Sequence, residues 1–144
     1  MTDIIKEELK QRIKDHEGYR LDPYEDTLGF LTGGYGHKIL EDEEVPTTKE
    51  GWEELFEKDF QKAWDSMLQL CEVHELTIQM KAKCILCEMI FQMGYAGVSK
   101  FKNMIKSLKD ENYYSASQHM LDSRWANQTP NRAKALSDLM ASLC

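Results

Sequence analysis

The sequence predicts a mostly helical α+β fold whose strands are confined to the N-terminal third of the chain. Apolar residues recur at the three-to-four-residue period of amphipathic helices through most of the 144 residues. Between residues 19 and 40 that period is lost, and glycines alternate with aromatic, leucine and threonine residues, as in short strands joined by tight turns. We therefore expect one domain over residues 1–144, with a small strand-bearing lobe and a larger helical lobe.

The first helix is predicted over residues 1–18. Ile5, Leu9 and Ile13 form one apolar stripe at a spacing of four residues. Asp3 is the expected N-cap, and Gly18 is expected to end the helix because glycine readily adopts the left-handed conformation found after a helix C-terminus.

The small lobe is predicted over residues 19–46. The stretch "EDTLGF" is typical of a hairpin turn, and "ILEDEEVPTT" is typical of a polar loop. Two strands are expected on either side of the turn, and the pattern predicts no clear third strand.

Residues 47–144 are predicted to form a long linking helix and the helical lobe. Thr47 and Glu50 give a capping box at the start of the linking helix. Its expected apolar face comprises Trp52, Leu55, Phe56, Phe60, Ala63, Trp64 and Met67. A buried central helix is predicted from about Leu76 to Met93. Further helices are expected around residues 101–108 and 112–123, and from Pro130, with Thr129 as its cap and a buried face of Leu136, Leu139, Met140 and Leu143.

The composition argues against several classes of function. The net charge is −7, and lysine and arginine are scattered without a basic arm, which argues against a nucleic-acid partner. No apolar run approaches the roughly 18 residues of a membrane span, so we expect no membrane insertion. The N-terminal "MTDIIKEELK" has no basic region followed by an apolar run, so we expect synthesis in a cytoplasm without a signal peptide.

Among the four cysteines, Cys84 and Cys87 form the one Cys-x-x-Cys pair. Their neighbours follow a helical pattern, and no second pair follows at zinc-finger spacing. Buried, reduced thiols are therefore favoured over a redox pair or a zinc site. We expect no metal ion and no cofactor.

The stretch "HEGYRLDPYEDTLGFLTGGYGH", residues 16–37, collects the residues that carry chemistry. Glu17 lies at a helix C-terminus, where the macrodipole and an apolar face both favour the protonated acid needed for general acid catalysis. Asp26 lies in a turn, where backbone N–H groups favour the ionised carboxylate. Two carboxyl groups with divergent environments are typical of glycosidases, although a solvated Glu17 and an ordinary turn Asp26 fit the same residues.

Thr32 opens the glycine-rich run and could hold a water beside Asp26, or it could simply favour a strand. The run "TGGYGHK" lacks the spacing of a phosphate-binding loop, so nucleotide binding is rejected. Its glycines are expected to allow a close backbone approach or a positive φ. His37 could be catalytic, but an orienting or salt-bridged structural histidine is favoured.

These residues resemble the active-site segment of the phage-type lysozymes, glycoside hydrolase family 24. The family pattern is E-G, then Y-x-D-T, then T-x-G-x-G-H, and it is matched here from Glu17 to His37. The segments "FQMGYAGVSKF" and "SRWANQTPNRAKAL" are similar to the C-terminal half of the same family. The resemblance covers nearly the whole chain and implies a lysozyme-like fold of two lobes joined by a long helix.

The resemblance implies a muramidase that hydrolyses the β-1,4 bond between N-acetylmuramic acid and N-acetylglucosamine in peptidoglycan, with inversion. In this reading Glu17 protonates the leaving oxygen, Asp26 holds or activates the attacking water, and Thr32 helps to place it. Arg132 matches a family arginine near the acid. Phe91 and Gln92 are expected to line the sugar cleft, although core packing fits them equally.

A monomeric phage endolysin that causes host cell lysis is the favoured biological role. It would be made in the host cytoplasm and reach the wall in the periplasm with the help of a holin-like or tail-delivery partner. An antibacterial effector shares this chemistry. The alternative from a different class is an idle peptidoglycan-binding or virion-associated structural module. The segment after His37 is shorter than in the family, and the net acidic charge is unusual for an enzyme that acts on an anionic wall.

Overall fold

The computed structural model of the protein describes residues 2–144 and confirms a mostly helical α+β fold. The elements in chain order are α1 (Thr2–Glu17), β1 (Arg20–Glu25), β2 (Leu31–Gly34), β3 (His37–Lys38), α2 (Lys49–Val73), α3 (Met80–Ser99), α4 (Lys102–Lys109), α5 (Tyr113–Leu121), α6 (Arg124–Gln128) and α7 (Pro130–Ala141). The chain divides into two compact units, and the boundary falls within α2 after Lys62.

The sheet of the first unit is antiparallel, with the strand order β1-β2-β3. Thr32 on β2 lies opposite Tyr24 on β1 and opposite Lys38 on β3. The expectation of two strands was wrong, because β3 pairs with β2 although it spans only two residues. A strand of that length is too short to show a period in the sequence.

The ring of Trp52 on α2 packs on the glycine backbone of β2. A Cβ atom added to Gly33 would lie 2.6 Å from the ring, and one added to Gly34 would lie 2.4 Å from it. The indole Nε1 donates a hydrogen bond of 2.9 Å to the Leu21 carbonyl on β1. Trp52, which is 1% exposed, therefore holds two strands and a helix together in the core of the first unit.

Helix ends in the first unit differ in detail from the predicted ones. α1 begins at Thr2, so Asp3 lies in the first turn and is not the N-cap. Gly18 has φ +73° and donates its N–H to the Lys14 carbonyl at 2.9 Å, so it ends α1 as expected. The predicted capping box at Thr47 was wrong, because the Thr48 hydroxyl accepts the Gly51 N–H at 3.1 Å and caps α2 instead.

The predicted apolar face of α2 is buried, except that Leu55 is half-buried. The central helix α3 is buried as predicted, but its bounds differ. It begins at Met80 and reaches Ser99 across a break at Gly94, where φ is +82°. Leu76 and Ile78 are buried in the connection before it. The predicted start at Leu76 is too early because periodicity alone does not separate the apolar residues of a buried connection from those of a helix.

The C-terminal helices contain one element that was not predicted, the short helix α6. Pro130 occupies the first turn of α7 as expected, but the Thr129 hydroxyl donates to the Trp125 carbonyl at 3.0 Å and does not cap α7. Leu139 was predicted to be buried and is 40% exposed. The four cysteines are thiols outside any disulfide, and Cys71, Cys84 and Cys87 are buried whereas Cys144 is exposed. Within residues 2–144 no helix combines the length and the apolar character needed to cross a membrane.

The contact between Trp52 and the glycines predicts a difference between two glycine substitutions. Gly34 and Gly29 both have positive φ, but open space surrounds the Cβ position at Gly29. Gly29→Ala should therefore lower the free energy of unfolding by about 1–2 kcal/mol, the cost of the left-handed conformation alone. Gly34→Ala should cost roughly a further 1–3 kcal/mol because its Cβ overlaps the indole. Urea unfolding measures both values, and equal losses would contradict the role assigned to Trp52.

Candidate active site

Glu17 is the last residue of α1, and its carboxyl group lies against the turn between β2 and β3. A Cβ atom added to Gly36 would lie 2.5 Å from Glu17 Oε1, and Gly36 has φ +74°. Glycine is thus required at this position for two reasons, the backbone conformation and the space occupied by the carboxyl group. Both expectations for the glycine-rich run are met at this one residue.

A hydrogen-bonded network holds the same turn against α1 and α2. Tyr35, beside Gly36, donates its hydroxyl to Glu53 Oε1 at 2.6 Å, and Lys14 Nζ binds Glu53 Oε2 at 2.7 Å. The Lys14 ammonium, followed by the Tyr35 hydroxyl, lowers the pKa of Glu53. Burial, together with the bond to Glu53, raises the pKa of Tyr35 to about 12. Because Lys14 lies one turn before Gly18, this network fixes the end of α1 that carries Glu17.

Asp26 lies at the start of the turn between β1 and β2, and its carboxylate is held by backbone N–H groups. Its Oδ1 atom accepts the N–H of Leu28 and the N–H of Phe30, both at 2.9 Å. Its own N–H donates to the Phe30 carbonyl at 2.8 Å. The predicted turn bonding of Asp26 is therefore present, and both of its backbone donors go to a single carboxylate oxygen.

Thr32 is 4% exposed and is linked to Asp26 through Phe30. The Thr32 hydroxyl donates to the Phe30 carbonyl at 3.1 Å, the same carbonyl that accepts the Asp26 N–H. One residue thus holds both Asp26 and Thr32. The hydroxyl proton of Thr32 is used in this bond, so its oxygen lone pairs remain available as acceptors.

His37 lies between two carboxylates, as in the structural role that the sequence favoured. Its Nδ1 is 2.6 Å from Asp59 Oδ2, and its Nε2 is 2.9 Å from Glu43 Oε2. The hydrogen bond to Asp59 outweighs the effect of burial and, with Glu43, raises the pKa of His37 to about 8. Burial opposes ionisation of Glu43, but the Leu40 N–H and the His37 imidazolium lower its pKa below the ordinary value.

The other predicted site residues lie in the second unit. Gln92, half-buried on α3, accepts a hydrogen bond from Trp125 Nε1 at 2.8 Å through its Oε1. One turn earlier, the fully buried Glu88 binds Arg132 Nε at 3.0 Å. Phe91 is half-buried on the same helix. The roles of Phe91 and Gln92 at the substrate, and the proximity of Arg132 to the acid, stay predictions.

The sequence did not reveal several residues that support the site. Glu43 and Asp59 bind His37, and Glu53 binds Tyr35, across 6 to 22 positions of the chain. Glu88 is the residue of this kind that the sequence does indicate. It is the single carboxylate in the apolar run "CILCEMIF", and a buried charge requires a partner. Within residues 2–144, no three His, Cys, Asp or Glu side chains form a group that could hold a metal ion.

A small antiparallel sheet beside a helix, with one carboxyl group on the helix end and another held in the following hairpin, fits the pair of carboxyl groups that a glycoside hydrolase uses. Comparison with known families narrows the class. The family model described as "Phage lysozyme" matches residues 14–140. The chain therefore belongs to the phage lysozyme family, and its class of activity is that of a muramidase.

The relatives of the chain differ in how much of each protein is matched. "Probable T4-type lysozyme 2" of Dictyostelium discoideum is 33% identical, and the match covers 87% of this chain and 88% of the relative. "Peptidoglycan hydrolase gp36" of Pseudomonas phage phiKMV is 29% identical, over 92% of this chain but 15% of the relative. "Pre-baseplate central spike protein Gp5" of Enterobacteria phage T4 is 26% identical, over 90% of this chain and 27% of the relative.

The raised pKa of His37 predicts a pH dependence of stability. Protonation stabilises the fold, so the contribution is fully present below the unfolded value near 6.5 and is lost as the pH rises through about 8. The free energy of unfolding should fall by up to about 2 kcal/mol across this range. Denaturant unfolding at several pH values measures the fall.

His37→Gln should remove most of that slope, whereas His74→Gln should keep it, because no ion pair of His74 is present among residues 2–144. An NMR titration should give a pKa of about 8 for the imidazole of His37. An unchanged slope in His37→Gln would contradict the pairing.

Proposed function

We propose that this protein cleaves the β-1,4 bond between N-acetylmuramic acid and N-acetylglucosamine in peptidoglycan, by single displacement with inversion. We assign Glu17 as the general acid, Asp26 as the group that activates the attacking water, and Thr32 as a second ligand of that water. The observation that carries the proposal is the Asp26 turn, where one carboxylate oxygen is saturated by the amides of Leu28 and Phe30. We also propose that the two units work as one catalytic domain over residues 1–144.

The position of Glu17 suits a general acid. The C-terminal end of α1 carries partial negative charge, which disfavours a second negative charge on the Glu17 carboxylate. Gly36 closes one side of the carboxyl group, and the network of Lys14, Glu53 and Tyr35 fixes the backbone around it. A positioned acid of this kind contributes roughly 10²–10⁴-fold to the rate by protonating the leaving oxygen.

The Asp26 turn suits the activation of water. Oδ1 is occupied by two amide donors, so Oδ2 is the oxygen available to receive a proton from water. Thr32 donates its own proton to the Phe30 carbonyl, so its oxygen can accept the second hydrogen of the same water. A water held by two acceptors presents its lone pair outward, which is the geometry needed for attack at the anomeric carbon. Inversion requires the two carboxyl groups to be about 6.5–9.5 Å apart, so that this water fits between them.

For the biological role we propose a lytic enzyme of the endolysin type, acting as a monomer on the wall in the periplasm. As its partner we propose a holin-like permeabiliser or a tail-delivery machine. The relatives support two arrangements of the domain. The Dictyostelium protein named as a lysozyme is matched over 88% of its length, whereas two phage proteins are matched over 15% and 27% of theirs.

An idle structural module is the alternative, and the similarity to a protein named as a baseplate spike favours it. The Glu17 environment argues against this alternative. A module that only binds glycan has no need of a carboxyl group packed against a positive-φ glycine. The two roles are separated by whether the purified protein clears permeabilised cells or only binds their walls.

Glu17→Gln should fold normally and lose nearly all lytic activity, because the amide cannot protonate the leaving oxygen. Asp26→Asn should also be severe, since it removes the charge that activates water. Turbidity loss of permeabilised bacteria measures both, and each should fall by roughly 10²-fold or more. Glu25→Gln is the matched control, because this exposed neighbour should be dispensable. Retention of a tenth of the wild-type rate by Glu17→Gln would remove Glu17 as the acid.

The stereochemistry of the product tests the single displacement directly. Soluble glycan strands cleaved in an NMR tube should first release the α-anomer at the new reducing end, before mutarotation scrambles the signal. Inversion of the β-bond is expected because Asp26 activates water and does not itself attack the sugar. Initial release of the β-anomer would establish a covalent intermediate and overturn the role of Asp26.

A further inference from the structure

One face of the small sheet carries a cation beside the proposed water site. Thr32 lies directly opposite Lys38, and residues opposite each other in an antiparallel pair project from the same face of the sheet. Lys38 Nζ lies 4.8 Å from the centre of the Phe30 ring, which places that ring on the same face. Phe30 is 52% exposed, and its N–H binds the Asp26 carboxylate. Phe30 therefore contacts both residues, Lys38 through its ring and Asp26 through its N–H.

A second cation reaches the same face. Tyr24 lies opposite Thr32 on the other side of β2, and the Arg20 guanidinium lies 4.6 Å from the centre of the Tyr24 ring. On this face Thr32 lies between Tyr24 and Lys38, and the rings of Tyr24 and Phe30 each have a cation over them. Exposed rings pack against the apolar faces of sugars, and the cations offer donors to an anion.

Neither cation is neutralised by the protein. Within residues 2–144, Lys38 and Arg20 have no carboxylate partner, although the chain holds 25 acidic residues. In the same unit the lysines of α1 behave differently, because Lys10 binds Glu57 at 2.8 Å and Lys14 binds Glu53 at 2.7 Å. The charges on the sheet face are left available for a ligand.

Resting on the proposed function, we propose that Lys38 is a specificity-determining residue that binds a carboxylate attached to the muramic acid of the substrate, while Phe30 packs against the sugar beside it. Muramic acid differs from glucosamine by its lactyl ether, which carries either a free carboxylate or a peptide stem with carboxylates of its own. A cation beside the water site distinguishes such a glycan from an uncharged polymer of N-acetylglucosamine. The contact is made to a group that does not react, so it should act on KM and leave kcat unchanged.

The experiment compares Lys38→Met with the wild type on three preparations of soluble peptidoglycan strands. One keeps its stem peptides, one has the stems removed to leave the lactyl carboxylates, and one has its carboxylates converted to neutral amides. On charged strands at low salt, KM should rise about fivefold in Lys38→Met, as expected for one partly exposed ion pair. On the neutral strands the two proteins should have the same KM. Because an intact stem is joined to the lactyl group through a neutral amide, a rise on the stem-bearing strands alone assigns the contact to the peptide carboxylates. A rise on the stem-free strands alone assigns it to the lactyl carboxylate, and a rise on both shows that Lys38 binds either group.

Matched variants separate charge from packing. Lys38→Arg should keep the wild-type KM, and Lys58→Met, which removes an exposed lysine of α2, should leave KM unchanged. An equal KM for Lys38→Met and the wild type on charged strands, or an equal loss on neutral strands, would overturn the proposal. Whether the wild type cleaves the strands at all tests the proposed function, and this result is separate from the role of Lys38. If the wild type cleaves no preparation, the proposed function fails, whereas cleavage without a charge-dependent effect overturns the role of Lys38 alone.

Discussion

The contact between the Trp52 ring and the Gly33–Gly34 backbone is the constraint on which the rest of the first unit depends. The indole fills the space that two side chains would occupy, and its Nε1 binds the Leu21 carbonyl on the neighbouring strand. A sheet of three short strands buries too little surface to be stable alone, so it needs a helix against one face. Trp52 provides that support from the first turns of α2.

The position of Glu17 follows from this contact. With β2 held against α2, the turn after Gly34 is directed to the end of α1, where Gly36 meets the carboxyl group. Tyr35 then joins the turn to Glu53 on α2. The Glu17 carboxyl group is thus placed by a chain of contacts, and each glycine in that chain is needed for a different reason. Gly34 accommodates the indole, and Gly36 accommodates the carboxyl group.

Local signals in the sequence were enough to predict most of the helices and the Asp26 turn, because their causes lie within a few residues. Gly18 ends α1, and the Asp26 carboxylate binds N–H groups two and four residues ahead. Features with distant causes were missed or misplaced. The strand β3 exists because β2 pairs with it. The cap of α2 is an exception, because the bond from the Gly51 N–H to Thr48 is local, but the capping-box pattern favoured the wrong one of two adjacent threonines. The pairing of His37 with Asp59 depends on two elements 22 residues apart, so spacing alone left its role open.

The acidic charge of the chain has a local origin that bears on both stability and binding. Residues 41–59 hold nine carboxylates and two lysines, so this segment alone accounts for the net charge of −7 and the remainder is neutral. Glu43 and Asp59 from this segment bind His37, and Glu53 and Glu57 bind the lysines of α1. Four of the nine carboxylates therefore have a structural role, because they pair with cations of their own unit. Because salt screens charges over about 10 Å, a substrate carboxylate at Lys38 responds to that lysine more than to the net charge. An acidic enzyme can in this way bind an anionic wall, provided that the cations on its sheet face remain unpaired.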